Sequence, residues 1–261
     1  MYLPKIKVYR DPTTTPCGNY TFREMIGSGS YGSIYISNVP GRVVKVMKRR
    51  MISHNEFCPS VKRIYKSIID ISTMKEDIIL KNNERKKYHY QLAEVYDHQM
   101  DEEYDYIIMK QYSMNLMQFK NKYAFNKYAV FTLLNQLIDA VIHLNNNNLF
   151  HPDLKMENVL MDEDYNAYMC DFDDLVFLDC VQTTKFVDNF ILPDDFTSKL
   201  LTEDIKTYCL LVSMYQINLI VTNLNIDEID KELEHMLSML KSAYTNEVMI
   251  DKIKTDLYNY I

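Results

Sequence analysis

His151-Pro152-Asp153-Leu154-Lys155-Met156-Glu157-Asn158-Val159-Leu160, followed thirteen residues after Asn158 by Asp171-Phe172-Asp173, is the stretch on which the reading of this chain turns. It sets two carboxylates (Asp153, Asp171), an amide (Asn158) and an ammonium (Lys155) close together in sequence. The gap between Asn158 and Asp171 suffices for a strand, a turn and a second strand, which would return both residues to one place. Taken alone, the stretch could also be acidic loops around a buried helix.

Far upstream lies Ile26-Gly27-Ser28-Gly29-Ser30-Tyr31-Gly32-Ser33-Ile34, which holds three of the chain's five glycines. Glycines are needed where backbone N–H groups must approach a phosphate with no Cβ in the way. A glycine hairpin of no function has the same pattern, and so does a dinucleotide-binding turn. In the dinucleotide turn, however, the glycines lead into a helix. Here Thr21–Ile26 before them and Gly32–Val39 after them both favour strand. Thirteen residues after Gly32, Val43-Val44-Lys45 sits in a third strand-like piece, Arg42–Met47. An ammonium on a rigid strand can hold phosphate as a point charge.

Ser60 to Leu80 carries apolar residues at helical spacing (Val61, Ile64, Tyr65, Ile68, Ile71, Met74, Ile78), which predicts one helix. Gln91–His98 and Tyr104–Gln111 read as strands joined by an acidic turn. Beyond about residue 112 the pattern turns helical, over Phe131–Leu144, Thr202–Thr222 and Ile226–Tyr244. A strand-rich part followed by a helix-rich part predicts an α+β chain of two lobes, 1–111 and 112–261.

Composition narrows the functional classes. With 47% hydrophobic and 25% charged residues over 261 positions, the chain has material for a real core. A net charge of −7 argues against a nucleic-acid clamp, so no direct nucleic-acid binding is expected. Cys17, Cys58, Cys170, Cys180 and Cys209 form no C-x-x-C pair, so neither a disulfide framework nor a zinc site is expected, and a reducing compartment is. The opening MYLPKIKVYRDPTTTP is charged and proline-broken, unlike a signal peptide. Cys209 to Leu224 is apolar but broken by Ser213, Gln216, Asn218 and Thr222, which predicts a core helix and no membrane span. The expectation is a soluble intracellular protein.

Taken in order, the four motifs resemble those of eukaryotic-type protein kinases: G-x-G-x-x-G-x-V, V-A-I-K, H-R-D-L-K-x-x-N and D-F-G. The likeness covers nearly the whole chain and implies a two-lobed kinase fold, with a small sheet lobe holding one regulatory helix and a larger helical lobe. It implies that Asp153 accepts the proton of a substrate hydroxyl, that Lys155 steadies the phosphoryl group, and that Asn158 and Asp171 hold magnesium. ATP would be bound by Ile26, Gly27, Gly29, Gly32, Ile34, Val43, Lys45 and Leu160, with Met109 as gatekeeper beside the adenine. Glu76 would pair with Lys45 from the regulatory helix, with Glu56 as competitor. Leu192-Pro193-Asp194 stands where A-P-E is expected, and Asp204 where the core-helix aspartate is expected. Lys155 after Leu154 is of the Ser/Thr type. A pseudokinase scaffold and a small-molecule kinase are the alternatives. The first usually loses a lysine, aspartate or metal ligand, and all are present here.

The departures bear on regulation. Pro152 replaces the arginine that in many kinases grips a phosphorylated activation loop. Asp173 replaces a glycine beside the metal site, from which tolerance of manganese is expected. The chain ends 57 residues after Asp204, reading as a trimmed helical lobe. These edges resemble the protein kinase 1 family of baculoviruses, which implies a viral protein in the cytoplasm or nucleus of a host cell, or in the virion, acting on an arginine-rich partner. Charge counts point to the same substrate. Residues 1–150 carry net +7, 151–204 net −11 and 205–261 net −3, so a basic Ser/Thr substrate is expected to be drawn to the acidic stretch. The apolar residues of 60–80, spread over more than one face, predict a homodimer through that helix. With proline at 152, a phosphate on Thr183 or Thr184 has no arginine there to meet it. A Thr183→Ala/Thr184→Ala variant is therefore expected to keep most of its activity in a phosphotransfer assay.

Overall fold

The computed structural model describes residues 20–29, 32–48, 61–72, 75–79, 85–89, 91–180, 205–243, 252–253 and 255–256. Glu56, Thr183, Thr184, Lys185, Leu192, Pro193, Asp194 and Asp204 lie outside the described residues. The chain divides into two compact units, Met1–Glu56 with Glu94–Gln111, and Phe57–Ala93 with Tyr112–Ile261.

The first unit is an antiparallel sheet. β1 (Phe22–Ser28), β2 (Gly32–Ser37), β3 (Arg42–Lys48), β6 (Val95–Met100) and β7 (Tyr104–Lys110) lie in the order β1-β2-β3-β7-β6. Alternation sorts the side chains onto two faces. One face packs Tyr35, Val44, Val46, Tyr106 and Ile108, all buried, with Tyr20, Phe22, Tyr96 and Tyr104 against them. Phe22 stacks on Tyr35 at 5.5 Å and on Tyr106 at 5.9 Å between ring centroids. Arg42 lies 4.2 Å over the Tyr96 ring and bonds the Tyr20 hydroxyl. The turn from β2 to β3 ends on Gly41 at φ +72, a left-handed conformation suited to glycine.

In the second unit, α1 (Val61–Ser72) buries Ile64, Tyr65, Ile68, Ile71 and Ser72, while Lys62, Arg63, Lys66 and Asp70 are exposed. A two-stranded hairpin follows, β4 (Lys75–Ile79) with β5 (Arg85–His89). The single helix expected over 60–80 is therefore corrected. It stops at Ser72, and Glu76 stands on β4 opposite Tyr88. Lys-Glu-Asp-Ile-Ile ends in two β-branched residues, which favour the pleated surface they find here. Ile78 and Ile79 are thus lost to the helix, and the solvent side of α1 is charged. The second apolar helix face from which a homodimer was expected is not formed.

α2 (Leu116–Lys120) follows the short strand β8 (Met114–Asn115) and opens on a capping box between Asn115 and Gln118. α3 (Lys127–Asn146) is capped by Asn126, whose side chain accepts from Ala129 N. It ends at Asn147, followed by Asn148 at φ 58, an αL stop where asparagine is tolerated. α4 (Ile205–Thr222) packs on α3 and on α5 (Lys231–Ala243). By length and composition α4 could cross a membrane, but 67% of it is buried in the protein, as fits a core helix. Tyr208, Cys209, Leu211 and Val212 of α4 form one buried cluster with Phe150 and Leu178. A strand-built part followed by a mainly helical one makes an α+β chain. Leu134 is fully buried in α3, so Leu134→Ala is expected to cost roughly 2–5 kcal/mol in urea unfolding. Tyr128→Ala, at a site 64% exposed, should change stability by less than about 0.5 kcal/mol.

Candidate active site

Two strand pairs bring the catalytic-type residues to one place. β9 (Leu149–Phe150) leads into residues 151–155, and a 3₁₀ turn, Met156–Asn158, leads into β10 (Val159–Met161). β10 pairs with β11 (Ala167–Met169) and with β8, while β12 (Val176–Phe177) returns to pair with β9. The strand-turn-strand expected between Asn158 and Asp171 is therefore present. Cys170 N donates to Asn158 O at 2.9 Å, closing the hairpin next to Asp171.

His151 ties the two loops together. Its Nε2 lies 2.9 Å from Cys170 O, and Asp153 N donates to its Nδ1 at 3.3 Å. A ring that accepts at Nδ1 and meets a carbonyl at Nε2 is neutral, with its proton on Nε2. Burial lowers its pKa below 6.5, against opposition from the Cys170 carbonyl and from the charges of Asp171 and Asp153. Below, Gln216 of α4 donates to Pro152 O at 2.5 Å.

Around Asp153 the polar groups converge. Lys155 Nζ meets Asp153 Oδ2 at 2.5 Å, and Asn158 Nδ2 donates to Asp153 O at 2.8 Å and to Oδ2 at 3.3 Å. Burial pulls the Lys155 pKa down, but the bond to Asp153 and the nearby carboxylates outweigh it and raise it overall, so the group stays an ammonium. Because the Asn158 nitrogen is engaged with Asp153, its Oδ1 is the side-chain atom that could meet a cation. Asp171 adopts φ 64, ψ 61, a left-handed conformation uncommon outside glycine. Such a residue costs on the order of 1–3 kcal/mol and marks sites where a side chain must be aimed. The next residues, Phe172–Asp174, form a 3₁₀ turn with Phe172 buried. Tyr65 OH on α1 donates to Asp173 Oδ1. Burial, then the Asp173 charge, push this phenol well above its usual pKa and keep it a donor.

The predicted nucleotide-binding residues other than Leu160 lie on the sheet of the first unit. Register pairs Lys45 with Ile34 and Ile107, and Val43 with Ile36 and Met109. Ile34, Val43, Lys45 and Met109 therefore share the face opposite the aromatic cluster. The glycines differ in what they answer to. A Cβ on Gly32 would sit 2.5 Å from Val46 O, so the fold itself requires glycine there. A Cβ on Gly29 would meet nothing within 4 Å, and one on Gly27 would touch only Ile34. Among the described residues nothing fills the space beside Gly29, which suits a phosphate approaching the backbone. Ile26 is 49% exposed beside a bulge in β1, and Leu160 is half-buried on β10.

Sequence reasoning placed Asp153, Lys155, Asn158 and Asp171, which the structure brings together through His151 and Cys170. It placed Glu76 on a helix, where the structure has a strand. It missed Tyr65, which read as one more apolar position, and Gln216, which read as an interruption in a greasy helix. One carboxylate and one amide oxygen are hard donors of the kind that hold a divalent cation whose other ligands are phosphate and water. Among the described residues no group of three or more His, Cys, Asp or Glu could enclose a metal alone. The pair fits a cation shared with a nucleotide.

These loops and this sheet define a protein kinase domain, and such a domain is matched over residues 20–190. The chain belongs to that family, which implies use of ATP and a divalent metal. It is 26% identical over 156 residues to cyclin-dependent kinase 1 of Encephalitozoon cuniculi (strain GB-M1), covering 57% of this chain and 48% of that protein. It is 24% identical over 155 residues to cyclin-dependent kinase 12 of Caenorhabditis elegans, covering 55% and 20%. A probable LIM domain-containing serine/threonine-protein kinase of Dictyostelium discoideum is 22% identical over 174 residues, covering 64% and 24%. The matched region thus spans less than half of each of these relatives.

Burial of neutral His151 makes stability depend on pH. The unfolded chain, with the ordinary value near 6.5, takes up the proton first on acidification. Stability is then complete above about 6.5 and declines below it, toward the lower folded value. Chemical unfolding between pH 7.5 and 5.5 should show this fall, and His151→Asn should flatten it.

Proposed function

We propose that the chain is an active Ser/Thr protein kinase that transfers the γ-phosphate of ATP to a basic protein. The observation that carries this reading is the cluster of Asp153, Lys155 and Asn158, held beside Asp171 by the His151 bond to Cys170. In this reading residues 1–111 and 112–261 are the two lobes. The open space beside Gly27 and Gly29 lets phosphate approach the backbone of the turn, Lys45 supplies a charge, and Ile26, Ile34, Val43, Met109 and Leu160 give the adenine apolar surface. Asp153 accepts the proton of the substrate hydroxyl as its oxygen attacks the γ-phosphorus and the bond to the β-phosphate oxygen breaks. Lys155, already on Asp153, neutralises charge on the transferring group. Asn158 and Asp171 hold magnesium, with manganese tolerated. The ion, when bound, offsets the charge of the phosphates. Glu76 as the partner of Lys45 belongs to this proposal without the helical setting that first supported it.

Support for Ser/Thr specificity comes from Lys155 and from the likeness to two cyclin-dependent kinases and a probable serine/threonine-protein kinase. Support for a basic substrate comes from the net −11 of residues 151–204 and from the likeness to the protein kinase 1 family of baculoviruses, which also supports a viral protein acting inside a host cell. Such a field steers oppositely charged partners and weakens as salt rises. Asp153→Asn and Asp171→Asn should each lower turnover about 10²- to 10⁴-fold while circular dichroism stays unchanged. Wild-type activity in either variant would overturn the reading. For matched peptides, kcat/KM should favour basic over acidic flanks and fall with salt. A preference for acidic flanks would refute the substrate assignment alone.

A further inference from the structure

The helix that the sequence predicts as the source of a carboxylate brings a phenol to the site. Within α1 the acidic residue is Asp70, which is exposed, and the buried face carries Ile64, Tyr65, Ile68, Ile71 and Ser72. Tyr65 is buried at 2% exposure, and its hydroxyl donates to Asp173 Oδ1, two residues past Asp171. A second contact joins the same two segments. The Arg63 guanidinium lies 4.2 Å over the ring of Phe177 on β12. α1 is therefore attached at two points to the chain that immediately follows Asp171.

The buried phenol is unfavourable without an acceptor. A phenol buried among isoleucines costs free energy unless its O–H finds an acceptor. At position 173 the D-F-G pattern has glycine, which brings no side-chain acceptor, whereas this chain has an aspartate directed at the phenol. Asp171 itself holds a left-handed conformation that persists only when its surroundings enforce it. The turn Phe172–Asp174 starts at that residue, so whatever fixes the turn also fixes the direction of the Asp171 carboxylate.

We propose that Tyr65 and Asp173 form a positioning pair that fastens the turn after Asp171 to α1 and thereby aims the Asp171 carboxylate at the cation. Asp173 acts here through Tyr65 and is not itself a cation ligand. The effect on the cation rests on reading Asp171 as a metal ligand, whereas the tie between helix and turn does not.

The test uses the full chain as wild type, Tyr65→Phe, Asp173→Gly, Asp173→Asn and the Tyr65→Phe/Asp173→Gly double variant. Amide hydrogen exchange by mass spectrometry over 61–72 and 171–180 reads the tie directly and needs no activity. Calorimetric titration of magnesium with a non-hydrolysable ATP analogue reads the cation site. A hydrogen bond to a charged group has a strength that corresponds to roughly ten- to hundredfold in an equilibrium. Tyr65→Phe and Asp173→Gly should each speed exchange in both segments and weaken magnesium-dependent binding about tenfold. Asp173→Asn keeps an oxygen acceptor and should recover most of both, and the double variant should be no worse than the poorer single one. In phosphotransfer, the magnesium concentration for half-maximal rate should rise more than kcat falls. Tyr65→Phe behaving as wild type in exchange and in titration would overturn the proposal. So would Asp173→Asn failing as badly as Asp173→Gly while Tyr65→Phe is normal, since the carboxylate would then contact the cation itself. A wild-type chain that transfers no phosphate would count against the proposed function, and the exchange comparison would still decide the tie.

Discussion

Burial leaves His151 with a neutral ring, which has one donor and one acceptor to place. The donor goes to Cys170 O and the acceptor to Asp153 N, so one side chain spans the loop that carries Asp153 and the loop that carries Asp171. The paired strands on either side hold the two loops adjacent, but pairing alone does not set the orientation of an irregular loop. The imidazole does, because both of its nitrogens are used in fixed directions. Protonating it would turn Nδ1 from acceptor to donor and oppose the Asp153 amide. Gln216, reaching up from α4 to Pro152 O, supports the same loop from below. Pro152 has no N–H of its own, so its carbonyl is the backbone group through which the helix can hold it.

The sheet of the first unit imposes a second constraint of a different kind. Its two faces are unlike. One is a closed layer of tyrosine, phenylalanine, valine and isoleucine, and the other carries Lys45 among Ile34, Val43, Ile107 and Met109. A slip of one residue between β3 and β7 would turn Lys45 into the aromatic layer and Val44 out of it. The uneven chemistry of the faces therefore fixes the register, and the register fixes which residues surround the lysine. Gly32 adds a local lock, because the Val46 carbonyl occupies the space a side chain would need.

How much of this could be read from the residues depended on whether a local pattern was opposed by anything distant. β2, β3 and β7 fall where their short β-favouring runs put them, because nothing distant opposes that local preference. The acid, lysine and asparagine of the 151–158 segment were legible because their chemistry depends on short spacing. The 60–80 helix was misread because isoleucine suits both periods, and Ile78 falls at a helical interval from Ile71 although its own neighbours favour strand. Glu76 was misplaced with it. Tyr65 reads only as one more apolar position at helical spacing, and nothing local signals that its hydroxyl meets a carboxylate 108 positions away. The left-handed Asp171 is invisible to propensity, since aspartate adopts that conformation only where surrounding contacts hold it.

The chain has 21 tyrosines and no tryptophan. In the folded molecule several phenol rings lie close together, with Tyr104 6.4 Å from Tyr106 and Tyr112 5.0 Å from Tyr168 between centroids. At such separations an excited phenol passes its energy to a neighbour before it emits, and each transfer erases some memory of the exciting light's polarisation. With no indole to act as a sink, the emission stays with the tyrosines. The native chain therefore carries a built-in optical signature, a depolarised ultraviolet emission that reports whether these rings are still packed side by side.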